Sequence, residues 1–249
     1  FNIGAGVDGL LKLKLPSDLA VVRLDDAGMS VQMAEYVCHA LIRHFREFDG
    51  YEADSRQGRW GYRKPRSRAD FAVGVMGLGN LGIAVLDSLR PFGFELHGWA
   101  RSQKNLDGVH CHAGNDQLAR FLGQCDIVIS LLPLTDDTRG ILNATTLAAL
   151  PSGASLINLG RGGHLIEEDL LEALASGQVS HAILDVLDAE PPSPDHPFWR
   201  HPQIWLTPHH LTIQARGNDE HRQRHTPATV GSGRDPAGDL SRAPRRRSG

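Results

Sequence analysis

At 249 residues the chain can bury a substantial core and hold one large or two small domains. Its formal net charge of −3 offers no global basic field of the kind that draws nucleic acid. Cys38, Cys111 and Cys125 are widely spaced and form no metal or redox pattern, which fits a reducing, cytoplasmic setting.

In chain order, residues 1–27 contain a glycine-rich turn, Gly4-Ala5-Gly6-Val7-Asp8-Gly9, and a strand-like run, Leu19-Ala20-Val21-Val22-Arg23-Leu24. Residues 29–50 read as one long helix with Val37, Leu41 and Phe45 on an apolar stripe, and 51–70 as a polar, basic loop carrying Trp60. From residue 71 strands and helices alternate. Strands are expected at 71–76, 94–99, 125–130, 155–158, 181–186 and 204–206, and a helix at 167–177, which opens with acidic residues that suit the helix dipole. Such alternation predicts an α/β fold with a doubly wound parallel sheet, so chemistry is expected just beyond the carboxyl ends of the strands. The apolar stretch 71–86 is broken by glycines and Asn80 and cannot cross a bilayer. Residues 212–249 hold eight arginines, no lysine and no aromatic residue, and read as a disordered tail. Phe1 stands in the place of a start methionine, so a preceding segment, with any targeting signal it carries, is expected.

The glycine run Gly77-Leu78-Gly79-Asn80-Leu81-Gly82 lies between a predicted strand and a predicted helix, the context that gives this spacing its meaning. Gly77 would make the tight turn, Gly79 would admit the pyrophosphate to the backbone, and Gly82 would let helix and strand pack closely. The helix amino terminus, with Asn80 and Leu81, would then hold the phosphates. At the end of the second strand no carboxylate awaits a ribose hydroxyl. Arg101, Ser102 and Lys104 stand there instead, which suits a 2′-phosphate and predicts NADP(H), with NAD(H) left open.

Three later strand ends carry candidate chemistry: Arg161 in Asn158-Leu159-Gly160-Arg161-Gly162-Gly163, Asp185 and Glu190 in 185–192, and His209 in Thr207-Pro208-His209. Together they suit carbonyl reduction beside a nicotinamide. His209 can give a proton near neutral pH, and Glu190 can orient its imidazole. Arg161 can grip a substrate carboxylate and polarise the adjacent carbonyl, and Asp185 can accept a hydrogen bond from the nicotinamide amide. No metal site is expected.

These motifs, with Ala34-Glu35-Tyr36-Val37, Leu131-Leu132-Pro133-Leu134-Thr135 and His196-Pro197-Phe198-Trp199, resemble the D-isomer-specific 2-hydroxyacid dehydrogenases, nearest their glyoxylate/hydroxypyruvate reductase subgroup. The resemblance implies Arg161, Glu190 and His209 as the catalytic trio, and substrate-carboxylate binding by backbone N–H groups around Ala5 and Gly6. It also implies that Leu132, Pro133 and Asp185 line the cofactor and that the 29–50 helix joins a homodimer interface. Residues 1–27 become the remnant of a flavodoxin-like substrate domain, 28–211 a Rossmann-type dinucleotide-binding domain, and 212–249 an aberrant tail of a truncated or frame-shifted product. The implied activity is NADPH-dependent reduction of glyoxylate or hydroxypyruvate, the alternative a nucleotide-binding remnant or cofactor sensor without turnover. Small 2-oxo acids are the expected partners, and neither nucleic acid nor a membrane is.

Overall fold

The computed structural model of the chain describes residues 28–211. The chain divides into units Phe1–Ala215 and Arg216–Gly249, and every described residue belongs to the first. The expected turn at Gly4–Gly9, the strand at 19–24 and the tail at 212–249 lie outside the described residues.

Seven strands build one sheet: β1 (Ala72–Met76), β2 (Glu95–Ala100), β3 (His110–Ala113), β4 (Ile127–Ser130), β5 (Ala154–Asn158), β6 (Val179–Leu184) and β7 (Ile204–Leu206). Their order is β3-β2-β1-β4-β5-β6-β7, and every neighbouring pair is parallel. β1, β4 and β5 are buried at every position, as expected of strands covered on both faces. Parallel neighbours need crossovers, and these are supplied by α3 (Asn80–Leu89), α4 (Leu118–Leu122), α5 (Ala144–Ala148) and α6 (Glu167–Ala175). The order reverses between β1 and β4, which opens a crevice at the carboxyl ends of those strands.

The pleat sends successive side chains to opposite faces. Val73, Val75, Ile127, Ile129, Ile157 and Ile183 join one apolar layer, with α3 and the long helix α1 (Met29–Phe45). Met76, Val128, Leu156, Ala182 and Leu184 join the other, under α4, α5 and α6. Tyr36 of α1 stacks on Trp205 of the edge strand β7, ring centroids 5.5 Å apart.

One expectation about this half of the chain is corrected. The helix drawn over 29–50 breaks at Glu47, whose φ of 56° is left-handed, and restarts as α2 (Phe48–Arg56) inside the stretch assigned to a loop. Ion pairing rather than an apolar stripe supports α2. Arg43 grips Asp49 at 2.5 Å and Glu52 at 2.8 Å, while Asp54 accepts from Arg59 and Arg63. The loop proper begins beyond Arg56 and holds Trp60 fully exposed. β3 is an element that no expectation covered, an edge strand reading His-Cys-His-Ala that carries no β-branched residue to announce it. Elsewhere strand limits move by one or two residues. β6 ends at Leu184, which leaves Asp185 as the first residue beyond its carboxyl end.

Candidate active site

The glycine turn joins β1 to α3. Gly77 has a φ of 103°, its N–H donates to Trp99 O at 2.8 Å, and a Cβ there would sit 2.9 Å from Leu131 O. At Gly82 a Cβ would lie 1.9 Å from Gly77 O, so only glycine lets the helix close on the strand. Gly79 differs, because an added Cβ would meet nothing within 4 Å among the described residues. Its smallness serves no protein contact, and space is left above an exposed helix start. Among the described residues no side chain caps α3, so the first-turn N–H groups at Asn80 and Leu81 face that space with the positive end of the dipole. These features fit a dinucleotide phosphate.

Arg101, Ser102 and Lys104 follow β2 directly and are exposed, beside the strand whose Trp99 carbonyl receives Gly77 N–H. Among the described residues neither basic side chain is taken up in an ion pair. At the exit of β4, Leu132 is buried and Pro133 exposed. Leu132 O would lie 2.9 Å from a Cβ at Gly160, so the exits of β4 and β5 touch.

The arginine turn is built by side chains for which sequence reasoning held no role. Asn158 is fully buried; its Nδ2 donates to Arg161 O at 3.0 Å and its Oδ1 accepts from Gly160 N–H at 3.2 Å. His164, also fully buried, accepts Arg161 N–H on Nδ1 at 3.2 Å. A buried polar residue at each end of a glycine-rich turn is the signal that could have found both. The Arg161 guanidinium donates from Nη1 to Gly160 O at 2.7 Å. At Gly162 a Cβ would fall 1.8 Å from the carbonyl carbon of Leu187, so the arginine turn rests on the next loop's backbone.

That loop carries Glu190. Its Oε1 accepts Leu187 N–H at 2.9 Å, and its Oε2 lies 2.7 Å from His209 Nδ1. The carboxylate can only accept, so Nδ1 carries the proton and Nε2 is left for exchange with another molecule. His209 has a left-handed φ of 48°, and its N–H donates to Asp185 O at 2.8 Å and Thr207 O at 3.0 Å. A non-glycine residue in that region is held by its surroundings. Asp185 is the holder: buried to 1 % exposure, it also accepts the Thr207 hydroxyl at 2.5 Å, His210 Nδ1 at 2.8 Å, and the N–H groups of His210 and Leu211. Because Thr207 donates to Asp185, the Tyr36 hydroxyl must donate to Thr207, at 2.9 Å. Burial pushes the Tyr36 phenol up to about 12.

The structure therefore brings Arg161, Glu190, His209 and Asp185 to adjoining strand exits, and the glycine and basic turns to the neighbouring ones. Ala5 and Gly6 lie outside the described residues.

Residues 38–210 match the profile of the D-isomer specific 2-hydroxyacid dehydrogenase, NAD binding domain. The chain belongs to this family. The glyoxylate/hydroxypyruvate reductase A of Serratia proteamaculans is 45% identical over 219 residues, covering 86% of this chain and 70% of that protein. Among solved structures, a D-isomer specific 2-hydroxyacid dehydrogenase from Xanthobacter autotrophicus, in complex with NADPH and MES, superposes with a TM-score of 0.80 at 43% identity, covering 84% of this chain and 86% of the other. The NADPH-dependent glyoxylate/hydroxypyruvate reductase of Sinorhizobium meliloti, in complex with NADP and sulfate, gives 0.80 at 39% identity, over 84% and 67%. The chain is thus a dehydrogenase by family, with a Rossmann-type nucleotide-binding sheet. Among the described residues no helix is long and apolar enough to cross a membrane.

Proposed function

We propose that the protein reduces small 2-oxo acids, glyoxylate and hydroxypyruvate among them, to 2-hydroxy acids with NADPH. The observation that carries this reading is the 2.7 Å contact between His209 Nδ1 and Glu190 Oε2 at the carboxyl edge of a nucleotide-binding sheet. When bound, the reduced cofactor supplies the hydride. His209, carrying a second proton on Nε2, gives it to the carbonyl oxygen, and Glu190 holds the ring in place for that transfer. Arg161 receives the substrate carboxylate and polarises the neighbouring carbonyl. Backbone N–H groups around Ala5 and Gly6 complete the carboxylate site.

Gly77, Gly79, Asn80, Leu81 and Gly82 hold the pyrophosphate, Leu132 and Pro133 line the nucleotide, and Asp185 receives the nicotinamide amide. Arg101, Ser102 and Lys104 select the 2′-phosphate, and the relatives solved with NADP or NADPH support that preference. The α1 helix contributes to a homodimer interface. Residues 28–211 form the dinucleotide-binding domain, and 1–27 belong to a substrate domain.

The test is NADPH consumption by the purified chain with glyoxylate and with hydroxypyruvate. Consumption with either acid, and formation of the matching 2-hydroxy acid, is expected. Tight cofactor binding without consumption would instead support a nucleotide-binding protein that lacks turnover.

A further inference from the structure

Two imidazole–carboxylate pairs stand on successive residues of one loop. His209 pairs with Glu190, whose side chain is 37% exposed, whereas His210 pairs with Asp185, whose side chain is 1% exposed. His210 has no part in the reaction proposed above, although its partner Asp185 is assigned there to the nicotinamide amide. Its carboxylate is unevenly used. Among the described residues Oδ1 takes the Thr207 hydroxyl at 2.5 Å, His210 Nδ1 at 2.8 Å and His210 N–H at 3.2 Å, whereas Oδ2 takes only Leu211 N–H, at 3.3 Å. An ionised carboxylate oxygen can accept about two hydrogen bonds, so Oδ2 retains capacity and Oδ1 has none.

We infer that His210, through the charge it places against Asp185, sets the relative affinity of this site for the oxidised and the reduced nicotinamide cofactor. The inference rests on the reading that the Asp185 end of the cleft receives the nicotinamide. The oxidised ring carries a positive charge and the reduced ring carries none. A buried carboxylate beside the ring therefore favours the oxidised form, and an imidazolium 2.8 Å from that carboxylate cancels the preference. Neutral and charged imidazole can both donate from Nδ1, so gaining or losing the second proton changes the local charge while the Asp185 hydrogen bond stays in place. With His210 charged, the site turns toward the reduced cofactor, the form that a reductase must bind to begin its cycle.

Tyr36 of α1 lies 5.3 Å from the His210 ring and stays neutral, its phenol pushed up to about 12 by burial. His39, also on α1, packs edge to face on Trp205 at 5.3 Å. The His209–Glu190 pair stands on the neighbouring residue of the same loop, which is why His209 needs its own control.

The experiment is a fluorescence titration of the full chain with NADPH and with NADP+, at about pH 8 and about pH 6, where histidine changes charge. The 2′-phosphate is common to both ligands and cancels in the ratio of their dissociation constants. For the unaltered protein the ratio Kd(NADP+)/Kd(NADPH) is expected to rise about fivefold on acidification, the scale of one half-exposed charge at several ångströms. His210→Asn keeps a donor toward Asp185 without the charge and is expected to abolish the rise. His209→Asn is expected to keep it. A full rise in His210→Asn, or no rise in the unaltered protein, overturns the inference while leaving the cofactor site intact. Failure to bind either ligand overturns the inference together with the reading beneath it.

Discussion

The two ends of β5 carry similar residue types and different physics. Near its start, Ser155 meets His44 and Ser180 under a fully covered surface; at its finish, Asn158 shapes the turn that presents Arg161. His44 is 7% exposed, and among the described residues no carboxylate is hydrogen-bonded to it. Arg66 donates to its Nε2 at 3.2 Å, a bond that only a neutral imidazole accepts. Burial, reinforced by the Arg66 charge and by His181, pushes His44 down to about 3. His209, in contrast, is 38% exposed and backed by Glu190 at 2.7 Å. One histidine is locked in a single state by its surroundings. The other keeps a carboxylate behind one nitrogen and access to the other, and a proton carrier needs both.

The contrast can be broken most directly at His209. Asparagine tolerates the left-handed backbone there, so His209→Asn should fold as well as the parent and melt within a degree or two of it. Its kcat for glyoxylate reduction should fall by about 10²- to 10⁴-fold. Retained kcat would remove His209 from the chemistry.

At the other end the expected change is in stability. The folded state holds His44 below its unfolded value of 6.5, so the unfolded chain binds the extra proton first as pH falls. The stabilisation is complete above that value and is lost progressively as pH drops toward about 3. On the order of 2 to 3 kcal/mol should be gone by about pH 4.5. Urea unfolding of the parent and of His44→Leu at several pH values separates this from carboxylate titration. The variant should lose stability less steeply on acidification, and equal slopes would mean that His44 is not the buried neutral group described.

Two glycines sharpen the same distinction between holding the fold and serving a ligand. Gly162→Ala drives a methyl into the Leu187 backbone, 1.8 Å from its carbonyl carbon, and should cost about 1 to 3 kcal/mol by denaturation. Gly79→Ala meets no protein atom within 4 Å, so its stability should match the parent while KM for NADPH rises about tenfold. A destabilised Gly79→Ala would show that this residue serves the protein rather than the phosphate.

The sheet was legible because buried parallel strands are written as unbroken apolar runs between glycine turns, as at Phe71–Met76 and Cys125–Ser130. The strand exits followed from the same reading, and with them Arg161, Asp185, Glu190 and His209. What stayed hidden depended on tertiary partners. α2 owes its existence to Arg43, which belongs to the preceding helix, so its own composition read as loop. β3 is held by pairing with β2 and carries no strand-forming residues. Asn158 and His164 act only once the glycine turn folds back on them. His210 acquires a partner only through the fold, which sets Asp185 2.8 Å from its Nδ1.

The smallest expected effect tests the basic turn after β2. Arg101 and Lys104 are exposed, and among the described residues neither is taken up by a carboxylate, so no protein contact explains them. Removing them should therefore leave the melting temperature unchanged. A guanidinium and an ammonium facing a 2′-phosphate in water contribute modestly, because solvent screens exposed charges. Arg101→Ala with Lys104→Ala should raise KM for NADPH about tenfold and leave KM for NADH within about twofold, without altering kcat for either. The added KM should shrink as salt is raised, since screening already weakens the parent's contact. An equal rise for both cofactors would assign the turn to the adenosine or the pyrophosphate that they share, and the preference for the phosphorylated form would have to come from elsewhere.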